Sequence, residues 1–314
     1  MEQSVAFLDL LAFSNRVREN TQDALMTFTT YRTILETKIT DDLIHPPESY
    51  SNPILQELAS NHSVKSFKYF LPFSDSVFIA SDNHDLFIKQ LGAFILHCFT
   101  FTSSAYQNPD DKSNPTKVTT TRVDISADGK VVSREKESNW YPTLFRGDVA
   151  FGEAIPIELI GIVKNRPEKI ANLAGKAVIK AVGLESKIKG PKIIFEKEYY
   201  DKLQTDTKKY VLETEVKGLY ELLWPAFLYS PSNGETEINK FYELFLPAVN
   251  LWQAYNHTSF AEHYFKFVEL IIMSTIKIFE ASGHTDTAVN KITDMIKSRG
   301  LEHKIKHLLK SYCR

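Results

Sequence analysis

"VAFLDLLAF", residues 5–13, carries a single charge, Asp9, among eight apolar residues. Residues 5–12 show no clean apolar–polar alternation, so they read as a central strand covered on both faces. A carboxylate there is costly. Unpaired in an apolar interior, it costs several kcal/mol or loses its charge through a raised pKa. Asp9 therefore demands a partner: a basic group, a metal ion or open water.

Downstream, residues 14–39 have helical spacing through Val17, Leu25, Phe28, Ile34 and Leu35, with Ser14 or Asn15 as the cap. Residues 45–53, rich in Pro, Asn and Ser, read as a loop. Two strands, 63–73 and 76–81, flank an "SDS" turn, and an apolar helix spans 84–101. The polar, Thr-rich stretch 105–140, with "SADGK" at its tip, reads as an inserted β-arm. A strand over 144–154 follows, then a helix over 167–186 opened by Pro167. Residues 190–203 give a strand and a short helix, and beyond 229–237 the pattern is helical to the end. This order predicts an α+β fold, a mostly antiparallel sheet covered by helices. The best boundary falls near 232, dividing residues 1–232 from a helical segment 233–314.

Composition narrows the class. The 314 residues are 43% hydrophobic, with 21 Phe and 14 Tyr, which suffices for a sizeable aromatic core. A formal net charge of −2 calls for neither nucleic acid nor an anionic membrane as partner. Cys98 and Cys313 make no disulfide framework and no zinc cluster, and they read as reduced thiols of a cytoplasmic protein. "MEQS" is acidic and Asp9 interrupts the apolar run, unlike a signal peptide. The stretch 267–279 is short and carries Glu269 and Lys277, so it reads as a buried helix face and not a membrane span.

A second carboxylate, Asp75, sits in the "SDS" turn. Alone it reads as an Asx-turn residue. With Asp9 it describes a site, one carboxylate on a central strand and one at the turn of a neighbouring hairpin. Two such groups without a basic partner repel, so one protonates or a cation bridges them. Oxygen ligands favour Mg²⁺ or Mn²⁺, ions that neutralise phosphoryl oxygens.

"AFLDLLAFS", "FSDSVFIAS" and "LFRGDVAFGEA", in that order, resemble the first strand, central hairpin and later strand of class III nucleotidyl cyclases. The "SDS" turn and "RGDVAFGE" are similar to Pycsar-type pyrimidine (uridylate) cyclases of bacterial anti-phage defence, and "GKAVIKAVGLES" (175–186) resembles the family's next helix. The resemblance covers about residues 5–200 and implies a nucleotidyl cyclase domain within 1–232. It implies that Asp9 and Asp75, with the main-chain carbonyl of Leu10, hold two Mn²⁺ or Mg²⁺ ions. Main-chain N–H groups of Ala12, Phe13 and Ser14 would cradle the β- and γ-phosphates, and Arg146 would contact the phosphates. The implied reaction is attack of the ribose 3′-hydroxyl on the α-phosphate of UTP, or of CTP, with loss of pyrophosphate. The implied assembly is a homodimer with composite sites, and the product would signal to a cyclic-nucleotide-responsive effector.

The sequence also departs from the family. A ribose-orienting Asn and a transition-state Arg would fall at Ile179 and Gly183, so both are missing; Lys176 and Lys180, one turn apart, are the substitutes on that helix. Leu71 stands where adenylate cyclases carry a purine-reading Lys, which argues against ATP. A catalytically inactive nucleotide-binding module stays open beside the enzyme. On residues alone, Arg146 pairs with Asp148 or Glu153, and the two lysines form a solvated helix face.

Overall fold

The computed structural model describes residues 2–103, 116–125, 131–184, 189–229 and 237–309. Its first half runs β1 (Glu2–Leu10), α1 (Phe13–Glu19), α2 (Thr21–Ile44), α3 (Pro53–His62), β2 (Tyr69–Phe73), β3 (Ser76–Ser81), α4 (His84–Thr102), β4 (Thr116–Ile125) and β5 (Val131–Trp140). There follow β6 (Phe145–Glu153), β7 (Ile155–Val163), β8 (Arg166–Ala174), α5 (Lys176–Leu184), β9 (Ile193–Glu196), α6 (Lys197–Asp201), α7 (Thr205–Lys208), β10 (Val211–Glu213) and β11 (Leu219–Leu222). Helices α8 (Phe241–Ala254), α9 (Ala261–Ala281), α10 (Thr285–Ser298) and α11 (Glu302–Leu309) close the chain.

The fold is α+β. Seven strands form one sheet in the order β10-β11-β9-β6-β1-β3-β2, antiparallel except for the parallel β6–β9 pair. β1 lies inside it, between β3 and β6. As its lack of apolar–polar alternation requires, both of its faces are used. Ala6, Leu8 and Leu10 face a large core that also takes in α4 and the C-terminal helices, from Phe94 to Phe267 and Leu309. Val5 and Phe7 face a small cluster beneath α5. Each large side chain fully buried in the main core contributes about 1.5–3 kcal/mol.

Several sequence expectations are corrected. The single helix expected over 14–39 is two, α1 and α2, broken at Asn20, which takes an extended conformation (φ −155°). Helix α1 is entered through Ala12, which takes the N-cap position expected for Ser14 or Asn15. Leu25, expected on the buried face, is exposed. The strand expected from residue 63 begins only at Tyr69. The loop expected over 45–53 leads into α3, whose first turn is set by Pro53 and capped by the Asn52 side chain on Ile54 N–H at 2.9 Å.

The largest correction concerns 167–186. Its first half is strand β8, paired with β7 in a two-stranded hairpin, and the helix begins only at Lys176. Lys164 and Asn165, both at positive φ, make the hairpin turn. Pro167 stands near the end of this two-stranded ribbon, where a missing N–H is tolerated. The β-arm expected at 105–140 is represented by the separate β4–β5 hairpin. Its "SADGK" tip, and the boundary near 232, lie outside the described residues. No helix among the described residues is long and apolar enough to cross a membrane.

Candidate functional site

The register of β1 assembles the site. Asp9 stands opposite Ser76 of β3 on one side and Arg146 of β6 on the other. Two residues back, Phe7 stands opposite Phe78 and Asp148, and Phe78 stands opposite Leu71 of β2. Because side chains alternate along a strand, these residues share the face that α5 partly covers. The polar row Asp9–Ser76–Arg146 thus adjoins an apolar shelf of Phe7, Phe78, Tyr69 and Leu71, in which the Phe7 and Phe78 rings are 4.9 Å apart.

Asp9 has found a basic partner. Arg146 Nε and Nη2 each donate to Asp9 Oδ2 at 3.0 Å, and Ser76 Oγ donates to Oδ1 at 3.2 Å. The side chains are 16% (Asp9) and 30% (Arg146) exposed, so the pair is half-buried. Where the sequence set Arg146 against Asp148 or Glu153, the structure pairs it with Asp9, which lies 137 residues away and is brought in by sheet register.

Asp75 lies at the β2–β3 turn, after Ser74 at φ 55°, and its carbonyl accepts the Leu10 N–H at 3.0 Å. The turn carrying Asp75 is thereby tied to the end of β1 that carries Asp9. Ala12, where β1 gives way to α1, is left-handed (φ 64°), and no side chain caps the helix. Such a conformation costs a non-glycine residue about 1 kcal/mol or more and concentrates at functional sites. Amides of a first helical turn, here including Phe13 and Ser14, have no partner within the helix.

The two lysines are placed differently. Helix α5 packs Ala177 and Ala181 beneath it, while Lys176 and Lys180 are exposed on its outer side, Lys180 donating to Glu198 Oε2 at 2.9 Å. No described contact joins either lysine to Asp9. Ile179 is exposed, and a Cβ on Gly183 would meet nothing within 4 Å. Asp148, singled out in the sequence only as a partner for Arg146, is wholly buried opposite Phe7, two positions beyond Arg146.

Among the described residues no three His, Cys, Asp or Glu side chains converge. Asp9 and Asp75 nonetheless supply the oxygen chemistry of a Mg²⁺ or Mn²⁺ ligand pair. Asp9 already holds Ser76 and Arg146, so a hard divalent ion would bind there beside, or in exchange for, Arg146.

No family model matches the sequence, and no curated protein matches it. Among solved structures, the chain is similar to the guanylate cyclase domain of RhGC from Catenaria anguillulae in complex with GTP. The identity is 13% and the TM-score 0.36, covering 70% of this chain and 95% of that one. An adenylate cyclase of Trypanosoma brucei gives 11% identity and a TM-score of 0.38, covering 70% and 87%. The adenylyl cyclase CyaB of P. aeruginosa gives 14% and 0.34, covering 70% and 93%. At these identities and scores the likeness assigns neither activity nor ligand to this chain.

Proposed function

We propose that this chain is a nucleotidyl cyclase that closes UTP to 3′,5′-cyclic UMP and pyrophosphate. CTP, giving cyclic CMP, is the alternative pyrimidine substrate. The observation that carries the reading is the Asp9–Ser76–Arg146 row at the end of β1, tied through Leu10 to Asp75 and leading directly into left-handed Ala12. The sequence motifs of a cyclase thus coincide with a half-open polar row beside an apolar shelf.

In this reading Asp9, Asp75 and the Leu10 carbonyl hold two Mn²⁺ or Mg²⁺ ions, which neutralise triphosphate charge and favour ionisation of the 3′-hydroxyl. The chain's own residues do the rest. Main-chain N–H groups at Ala12, Phe13 and Ser14 receive the β- and γ-phosphates. Arg146 offers a forked guanidinium for which phosphate oxygens compete with Asp9. Leu71, with Phe7, Phe78 and Tyr69, gives the base a flat apolar seat and no lysine to read a purine. Exposed Lys176 and Lys180 serve the site of a second copy, Lys180 being turned to Glu198 in its own chain. The β7–β8 hairpin supports such a homodimer, because it exposes Ile155, Leu159, Ile160, Ile162, Val163 and Ile170. Residues 1–232 form the catalytic domain and 233–314 an appended helical segment. The product acts in the cytoplasm as an anti-phage messenger on a cyclic-nucleotide-responsive effector.

A second reading, a nucleotide-binding module without turnover, is favoured by one observation: Asp9 is already neutralised by Arg146. Incubation of the protein with each of the four NTPs and Mn²⁺, with products identified by mass, separates the two. Cyclic UMP or cyclic CMP is expected. Faster cyclisation of ATP or GTP than of both pyrimidines refutes the base assignment. Binding of UTP with no product from any NTP leaves the module.

A further inference from the structure

The loop that precedes β9 is tied to the C-terminal helices and to β6 beside Arg146. The connection starts at His263 in the first turn of α9, whose Nδ1 accepts the Gly190 N–H at 3.0 Å. Gly190 has φ +87°, and a Cβ there would stand 2.7 Å from the Lys266 Cβ, so the loop lies directly against α9. Trp224 Nε1 donates to the Pro191 carbonyl at 2.8 Å, and Lys189 pairs with Glu262 at 2.7 Å. The next carbonyl, Lys192, accepts the Gly147 N–H at 3.0 Å. Gly147 follows Arg146 and lies so close to β1 that a Cβ would stand 2.0 Å from the Phe7 carbonyl oxygen. An unbroken chain of short contacts thus runs from α9 through residues 190–192 to the backbone that aims Arg146 at Asp9.

We propose that His263 is a positioning residue for Arg146, a latch through which the C-terminal helical segment sets the Arg146–Asp9 pair. The latch stands on the site geometry, and only its effect on turnover rests on the function proposed above. It requires a neutral imidazole, because Nδ1 accepts a proton donor and cannot carry its own proton. The charges facing this ring favour that state. Burial comes first in lowering its pKa, then Arg146 of β6 and Lys189 of the loop, against an opposing effect of Glu262. Lys266 on the same helix is neutralised by Glu269 at 2.6 Å, and Lys192 by buried Glu221 at 2.7 Å. Acidification protonates His263, removes the acceptor and frees the loop.

The test is Arg146 Nε–H protection against solvent exchange, relative to free arginine at the same pH, measured by ¹⁵N NMR on the full chain. His263→Ala should lower protection about fivefold, the effect of one hydrogen bond. His263→Asn puts an acceptor at the same position and should keep wild-type protection at neutral pH. It should also abolish the loss of protection that wild type shows on acidification. Unchanged protection in His263→Ala, or equal loss in His263→Asn, overturns the latch. Should His263→Ala fail to fold, the acid titrations of wild type and His263→Asn decide alone, and identical profiles overturn the latch. Cyclase turnover is read separately. A protein without turnover but with this protection pattern keeps the latch and loses the proposed function; turnover with His263-independent protection does the reverse.

Discussion

The two faces of the seven-stranded sheet are built from the same strands and differ in almost everything else. One is sealed by α4 and the C-terminal helices over a continuous core rich in rings, in which Phe94 meets Phe67 and Phe70 at 5.8 Å. The other carries one short helix over small residues such as Val5, Ala80 and Ala150, and beyond that helix lie Asp9, Arg146 and a half-buried aromatic shelf. A carboxylate is tolerable on β1 only because it points to the second face. The large apolar core lies on one side of the sheet, and the Asp9–Arg146 pair lies on the other.

That contrast can be broken by substitution. Phe94→Ala on the sealed face should cost about 3–5 kcal/mol by chemical denaturation, the range for a large buried ring. Phe78→Ala on the open face should cost less than about 2 kcal/mol. Equal costs would abolish the distinction. Asp9→Ala should cut cyclisation at least about a hundredfold, the scale for removing one preorganised charged group. The stability cost should be about 1 kcal/mol, because the pair is partly solvated. Near-wild-type turnover in this variant would remove the open face from the chemistry.

The sealed side should also be the acid-sensitive side. His62 and His97 stack between α3 and α4 with centroids 5.1 Å apart. Burial, reinforced by Lys38, pushes His62 down to about 4 and His97 to about 3. Their folded-state pKa values lie below the ordinary 6.5, so the unfolded chain binds more protons as pH falls. Stability from these groups is complete above 6.5 and declines toward pH 4. Urea midpoints should fall across that window, and His97→Phe should flatten the slope; an identical slope in the variant refutes this source. The smallest effect concerns the shelf. Leu71→Lys should change stability by less than about 0.5 kcal/mol. It should also raise the ATP:UTP turnover ratio about tenfold in the NTP assay.

Much of this was legible in the chain. The strand around Asp9, the hairpin strand 76–81, the helix at 84–101 and the strand at 144–154 follow from apolar runs and turn residues, which are local signals. β8 was not legible, because Pro167 followed by "EKIANLAGKAVIKAV" satisfies helical spacing as well as strand pairing. Only its partner β7, which contributes a run of apolar side chains along the ribbon, decides between them. The short strands β10 and β11 were missed for the same reason: three and four residues carry no period. At the site, residue type flagged Asp9 and motif order flagged Asp75 and Arg146. The Asp9–Arg146 contact depends on register between distant strands, which no local pattern encodes.

The placement of β1 bears on how the chain reaches this structure. Its neighbours in the sheet begin at Ser76 and Phe145, so the most apolar strand must wait for partners roughly 70 and 140 residues further on. Such long-range closure slows folding. During synthesis, "VAFLDLLAF" is an unpaired β-forming segment of the kind that associates with copies of itself, and Asp9 is its one charge. A single charge within such a run acts as a gatekeeper against aggregation. The residue proposed for the folded site is therefore expected to protect the nascent chain as well, and removing it should lower soluble yield before any change in activity is measured.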